Sequence, residues 1–308
     1  MEITLKDAAA RIRAGELVAF PTETVYGLGA NALDAAAVAK IYEAKGRPAT
    51  SPLIVHVASV SMASTLVAAW PPEAEALAQS FWPGPLTMVL PKKSHVPDIV
   101  TAGLPTVGVR MPEHPMALAL IREAGVPIAA PSANRFTQLS PTTAEHVRET
   151  FGDAIPVLDG GPCRVGIEST VVSITAGKVA LLRPGNISLD AISDALGRAP
   201  EEIAQAVAPS EGSSHSSPGM HERHYSPRTR LVLTNVPSEA GAYLFYAHAA
   251  KAARIFQLPN DPNEYAAHLY SALHELDREA WPVISVEPPP QTPEWAAVLD
   301  RLKRAAAK

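Results

Sequence analysis

Residues 17–57, LVAFPTETVYGLGANALDAAAVAKIYEAKGRPATSPLIVHV, set the tightest limits on what this chain can fold into. The apolar run Leu17-Val18-Ala19-Phe20 reads as a strand, and Pro21 stops it by removing a backbone donor. Thr22, Glu23 and Thr24 follow, then a glycine-relaxed turn at Gly27 and Gly29 where backbone approaches a ligand closely. Asp34 caps a helix whose apolar positions Val38, Ile41 and Tyr42 recur at helical spacing, and Gly46 ends it. Pro48 pushes Arg47 into an extended conformation, which predicts that Lys45 and Arg47, two residues apart, face one spot. A strand over 53–57 then carries His56.

A second polar pair answers these cations. Val126 to Ala130 reads as a buried strand, and Pro131-Ser132-Ala133-Asn134 follows at its carboxyl end, where α/β sheets bind ligands. Ser132 and Asn134 are again two apart, and both donate hydrogen bonds of the kind that phosphate, ribose or base accepts. Gly27 and Gly29 alone make a poor dinucleotide fingerprint, since no third glycine and no helix follow directly.

The chain alternates helices and short strands irregularly. Helices are predicted near 4–14, 34–45, 59–69, 72–80, 114–124, 142–151 and 189–196; strands near 17–20, 53–57, 86–90, 106–110, 126–130, 155–158, 170–174 and 178–182. The later strands lie so close together that hairpins must join some of them. From Glu201 to Ser226 the composition turns to Ser, Gly and Pro without periodicity, which reads as a linker. Beyond Arg228 the pattern is three strands, a helix over 262–278 with Tyr265, Leu269, Leu273 and Leu276 on one face, a strand, and a helix over 294–306. The predicted organisation is a domain over 1–197, a linker or lid over 198–227, and a small α/β domain over 228–308.

Composition narrows the function classes. With 308 residues, 47% hydrophobic and 19% charged, the chain buries ordinary cores. A net charge of −5 argues against a large nucleic-acid footprint, so positive charge that matters is local. Cys163 is the only cysteine, which excludes an intramolecular disulfide and a cysteine metal cluster. His215, His221 and His224 fit no zinc spacing. The amino terminus reads as an amphipathic helix capped at Thr4 rather than a signal peptide, and no 18-residue apolar stretch exists. The expected compartment is the cytoplasm, with no membrane association.

Lys45-Gly46-Arg47 and Ser132-Ala133-Asn134 together resemble the KxR…SxN signature of the YrdC-like family. The resemblance continues through WPGPLTMVL (82–90), TVGVRMPEHP (106–115), GIESTVV (166–172) and LLRPG (181–185), in the family's order over roughly 1–190. SPGMHERHYSP (217–227) looks like the linker of its two-domain members, the L-threonylcarbamoyladenylate synthases. The C-terminal segment is shorter than those members usually carry, with EPPPQTPEW in place of a glycine-rich stretch; Ser173 and His221-Glu222 also depart from the usual residues.

The resemblance implies an α/β fold: a twisted mixed sheet with surrounding helices, plus a small Rossmann-like domain. It implies union of L-threonine, bicarbonate and ATP into threonylcarbamoyl-AMP, with magnesium carried on the triphosphate. Lys45 and Arg47 would clamp phosphate and carry catalysis. Ser51, Thr106, Ser132, Asn134, Ser140, Arg183, His224 and Tyr225 would complete the ATP site. Thr24, His56, Arg110 and Ser169 would hold threonine, Arg110 by its carboxylate. The linker would fold over the site as a lid, and a downstream transferase would place the product on tRNA, which this chain meets only indirectly. Against these stand an RNA- or nucleotide-binding module without turnover, and a carbamoyl-transfer enzyme of hydrogenase maturation. The latter's expected upstream segments are absent.

Overall fold

The computed structural model of the protein describes residues 3–205 and 223–307. The first helix, Leu5–Arg13, opens on the anticipated capping box: Asp7 N donates to Thr4 Oγ1 at 3.2 Å, and Thr4 N to Asp7 Oδ2 at 3.3 Å. Asp34 likewise caps helix Ala35–Lys45 by accepting from the amides of Ala36 and Ala37. Gly46 closes that helix in the left-handed conformation, φ 64°.

Nine strands form the first sheet: β1 (Val18–Phe20), β2 (Gly27–Asn31), β3 (Ile54–His56), β4 (Leu86–Pro91), β5 (Thr106–Arg110), β6 (Ile128–Ala129), β7 (Thr170–Thr175), β8 (Lys178–Arg183) and β9 (Ala204–Gln205). Their order is β1-β2-β6-β3-β5-β4-β7-β8-β9. Only β3–β5, β4–β7 and β8–β9 pair in parallel, so the sheet is mixed. β7 and β8 form the expected hairpin, turning at Ala176 and Gly177, both at positive φ.

The structure corrects several expectations. Gly27 and Gly29 lie within β2 rather than in a turn, paired with β1 on one side; β6 pairs further along the other. A Cβ on Gly29 would stand 2.8 Å from the Phe20 ring and 2.9 Å from Ile128, so this glycine serves close packing. The strand predicted over 126–130 shrinks to two residues between Pro127 and Pro131, which cannot donate to a ladder. The segment 155–158 contributes only the bridge Ala19–Val157, and helix 59–69 stops at Leu66. Helix Ala144–Phe151 starts two residues later than predicted, capped by Thr143, which accepts from His146 N, while the Thr142 hydroxyl reaches Ser271 at 2.9 Å. A short helix, Asp98–Thr101, went unforeseen. The expected linker begins later than Glu201, because Ala204–Gln205 adds an edge strand to β8. Residues 206–222, with His215, His221 and Glu222, lie outside the described residues.

The second sheet is wholly parallel: β10 (Leu231–Leu233), β11 (Ala242–Phe245), β12 (Arg254–Gln257) and β13 (Ile284–Val286), in the order β10-β13-β11-β12. Helix Pro262–Arg278 buries Tyr265, Leu269, Leu273 and Leu276 as its periodicity requires, and helix Ala296–Ala306 buries Val298 and Leu302. This core does not stop at the domain boundary. Val25, Leu139, Val165 and Ile167 of the first half belong to it. Gly166, at φ 77°, lets helix Pro262–Arg278 dock closely: a Cβ there would meet Ala266 O and Ala267 Cα at 2.5 Å.

Candidate active site

Residues Thr106, Gly108 and Arg110 alternate along β5 on one face, while Val107 and Val109 point into the core. β3 runs parallel beside it, with Ile54 opposite Gly108 and His56 opposite Arg110. β6 runs antiparallel to β3, so the loop bearing Ser132 leaves near Ile54, and Ala130 N donates to Ile54 O. Ser132 and Asn134 thus follow the carboxyl end of their own strand as expected, and because β6 is antiparallel that end lies beside the start of β3. The site spans the face of the sheet, with two ends. One end gathers Lys45, Arg47, Ser51, Ser132, Asn134 and Thr106; the other gathers Thr24, His56, Arg110 and Ser169. Gly108, without a side chain, lies between, and about 13 Å of β5 separates Thr106 from Arg110.

At the first end the two cations do different jobs. Lys45 is buried, and its Nζ donates to the carbonyls of Ser132 (2.6 Å) and Asn134 (2.5 Å) and to Asn134 Oδ1 (3.3 Å). Burial, then Arg47 and Arg135, hold its pKa well below the ordinary lysine value. Because Lys45 closes the helix and Gly46 is left-handed, extended-strand geometry does not relate it to Arg47. Arg47 instead lines the cavity, donating one Nη to Pro52 O at 3.1 Å while its Nε has no partner. Burial lowers its pKa to about 10, so it stays cationic.

Ser132 also lines the cavity. Asn134 does not: its Nδ2 donates to the carbonyls of Arg135 and Gln138, which fixes the loop. Ser51 and Thr106 do not line the cavity: Ser51 is buried before β3 and Thr106 is half-exposed at the start of β5.

At the second end Arg110 Nη1 donates to Thr24 Oγ1 at 3.0 Å. Its Nη2 lies 2.7 Å from Glu23 Oε1, off-line for a hydrogen bond, and both side chains are buried. Burial, then Arg110, lowers the His56 pKa to about 3, so the imidazole is neutral; its Nδ1 has no partner. Ser169 Oγ shares a hydrogen with Thr87 Oγ1 at 2.8 Å and accepts from Arg183 Nη2 at 3.1 Å.

His224 and Tyr225 cover the cavity, which measures about 50 Å³, room for little more than water. Tyr225 is buried at φ 59°, a strained backbone for a bulky residue, and its hydroxyl has no partner. Ser226 fastens this strap to both halves, donating from N to Thr137 O at 2.8 Å and from Oγ to Ala305 O at 3.3 Å. Sequence reasoning missed Glu168, which lines the cavity and accepts from Ser140 Oγ (2.5 Å), Tyr270 OH (3.2 Å) and Arg301 Nε (2.8 Å). Ser140 thus serves Glu168. Glu168 stood in the quoted GIEST stretch, but nothing in spacing linked it to Arg301.

Arg47 Nε, His56 Nδ1 and the Tyr225 hydroxyl are buried polar atoms on one cavity wall without partners, an arrangement that calls for a polar ligand. With Arg47, Arg110 and Arg183 on that wall, the ligand chemistry is anionic. The fold and wall define an anion-handling α/β protein whose C-terminal module contacts the cavity wall through Tyr270 and Arg301 on Glu168.

Residues 10–185 match the Sua5–YciO–YrdC family model, described as Telomere recombination; residues 187–307 match the C-terminal domain of threonylcarbamoyl-AMP synthase. The chain belongs to this two-domain family. It is 43% identical to threonylcarbamoyl-AMP synthase of Pyrococcus abyssi over 99% of this chain and 94% of that one. To the Bacillus subtilis enzyme of the same name it is 42% identical, over 98% and 92%. The crystal structure of P. abyssi Sua5 complexed with L-threonine matches with a TM-score of 0.91 at 43% identity, covering 98% of this chain and 94% of that one.

Proposed function

We propose that this protein is an L-threonylcarbamoyladenylate synthase, joining L-threonine, bicarbonate and ATP into threonylcarbamoyl-AMP with release of pyrophosphate and water. The observation that carries the reading is the placing of Arg47 and Arg110 on one cavity wall at opposite ends of a sheet face. A triphosphate and an amino-acid carboxylate need two such anchors with the reacting atoms between them.

In the first step the free amine of threonine forms a bond to the bicarbonate carbon, and one bicarbonate oxygen leaves as water. In the second, a carbamate oxygen attacks the α-phosphorus and the bond to pyrophosphate breaks. Neither step needs a protein nucleophile, so positioning and electrostatics supply the acceleration. Arg47 donates to phosphate oxygens with its unpartnered Nε, Ser132 adds a hydroxyl, and Lys45 holds the loop that presents it. Arg110 orients the threonine carboxylate, and Thr24, neutral His56 and Ser169 surround the rest. His224 and Tyr225 exclude water from a labile mixed anhydride.

Magnesium enters on the phosphate oxygens. Glu168 is engaged by Ser140, Tyr270 and Arg301, Glu23 lies against Arg110, and no group of three metal-ligating side chains occurs among the described residues. The product passes to a transferase that installs threonylcarbamoyl on the adenosine beside the tRNA anticodon, in the cytoplasm. No helix among the described residues is long and apolar enough to cross a membrane.

Pyrophosphate release from ATP, assayed with each substrate omitted in turn, tests the reading. Release is expected only with threonine and bicarbonate together; equal turnover without threonine overturns it.

A further inference from the structure

Arg301, on the last helix, is the largest fully buried side chain among the described residues, and its guanidinium reaches into the first half. Its Nε donates to Glu168 Oε2 at 2.8 Å, Nη2 to Glu168 O at 3.3 Å, and Nη1 to Pro184 O at 3.0 Å. Asp300 backs it at 2.7 Å, and its guanidinium lies 5.3 Å over the Tyr225 ring. Tyr270, from the other C-terminal helix, donates to the same carboxylate. Two helices of the C-terminal module therefore converge on one acidic group of the first half, and that group forms part of the cavity wall.

A carboxylate is a poor neighbour for an anionic ligand. In a desolvated cavity its field opposes the Arg47 and Arg183 guanidinium groups on the same wall. We propose that Arg301 is a positioning residue of the cleft: it neutralises Glu168 and seats the Tyr225 ring so that the wall accepts a nucleotide, an inference that rests on reading the cleft as an ATP site. The C-terminal module then completes the cleft from behind without touching substrate. Removing one partner of a buried pair leaves the other charge uncompensated, whereas replacing both is close to neutral. Loss of Arg301 alone should therefore act on ATP, and loss of both partners should not.

The test uses the full-length chain as Arg301→Met, as Arg301→Met/Glu168→Gln, and as Arg301→Lys, with melting curves beside the kinetics. In Arg301→Met the KM for ATP is expected to rise about tenfold or more, with the KM for threonine changed less than about threefold. The double variant is expected to stay within about threefold of wild type for ATP, and Arg301→Lys, which keeps the charge but loses the fork and the stacking, to fall between it and Arg301→Met. If Arg301→Met does not fold, the double variant carries the decision. An ATP affinity unchanged in folded Arg301→Met overturns the proposal, as does a tenfold loss persisting in the double variant. Wild-type protein lacking threonine-dependent pyrophosphate release overturns the proposed function and this proposal with it. The other failures overturn this proposal alone.

Discussion

The two sheets of this protein meet the same problem, how to present polar groups at a strand end, in opposite ways. The parallel C-terminal sheet has the topology in which ligands gather beyond the carboxyl ends of strands. There the amides of Tyr246, Ala247 and His248 converge on a carboxylate, but it is the chain's own Glu287, at 2.9, 3.0 and 3.3 Å. Burial raises the pKa of this group, yet those amides together with the His248 ring outweigh burial and hold it below its ordinary value. The mixed sheet leaves Arg47 Nε and His56 Nδ1 without partners across an open face. A satisfied strand end supports; an unsatisfied one binds. The C-terminal half acts on the cleft from its helices, through Tyr270 and Arg301, rather than through its sheet.

Separating the halves at Gly166, where no Cβ fits, is the severest way to break this division of labour. Gly166→Ala adds a left-handed alanine and a Cβ 2.5 Å from helix backbone. We expect it to cost about 3 kcal/mol or more, read as a lower urea midpoint, with turnover falling in parallel. Full stability would show that the C-terminal half is loosely attached.

Lys45 and Arg47 allow the contrast between support and binding to be drawn within three residues. Lys45→Met removes an ammonium from three oxygen acceptors, so stability should fall by about 2–3 kcal/mol. Arg47→Met leaves fewer buried donors unsatisfied; stability should hold while ATP affinity drops about tenfold or more. Chemical denaturation and nucleotide titration of both variants decide it, and an identical pattern in the two would erase the distinction.

The interface between the halves carries a pH dependence of its own. His146 and His274 stack at 3.8 Å, one from each half, with Arg278, Arg228 and Asp277 around them. Burial, then the neighbouring ring, lowers His146 to about 3; burial, partly offset by a hydrogen bond to Ser140 O, lowers His274 to about 4. Both folded values lie below the unfolded value near 6.5, so this stability is present above about pH 6.5 and is lost as pH falls toward 4 and 3. Between pH 7 and pH 5 we expect a loss of about 1–2 kcal/mol from His274, and a shallower slope in His274→Gln. Parallel slopes would remove the histidine pair from the account.

The smallest effect belongs to the far end of the sheet face. Thr106→Val should weaken ATP by about 0.5–1.5 kcal/mol and leave the KM for threonine alone. An effect on threonine instead would reverse the assignment of the two ends.

Much of the fold could be read from local chemistry, because caps and stops are local: Thr4, Asp34 and Gly46 begin and end helices where their residue types predict. The site was legible as a set of residues and less so as a geometry. Nine of the anticipated side chains line the cavity, but Lys45 and Asn134 turned out to brace the loop that carries Ser132. The reason lies in Gly46, whose left-handed backbone breaks the two-residue alternation expected of Lys45 and Arg47. Lys45, which stands outside the helix's apolar positions, is buried because three oxygens receive it. Glu168 and Arg301 were invisible together, since no periodicity joins groups 133 positions apart.

The fastening of the strap has a consequence for timing. Tyr225 sits beside Ser226, which is tied at once to Thr137 and to Ala305, and His224 N donates to Arg304 O at 3.3 Å. Opening wide enough to admit a nucleotide must loosen attachments to the last helix, so Ser226→Ala should quicken the steady-state phase that follows a burst of pyrophosphate. If that opening limits turnover, the firmness with which the last helix holds a three-residue clasp sets how fast product leaves, and a tighter clasp would make a slower but less leaky enzyme.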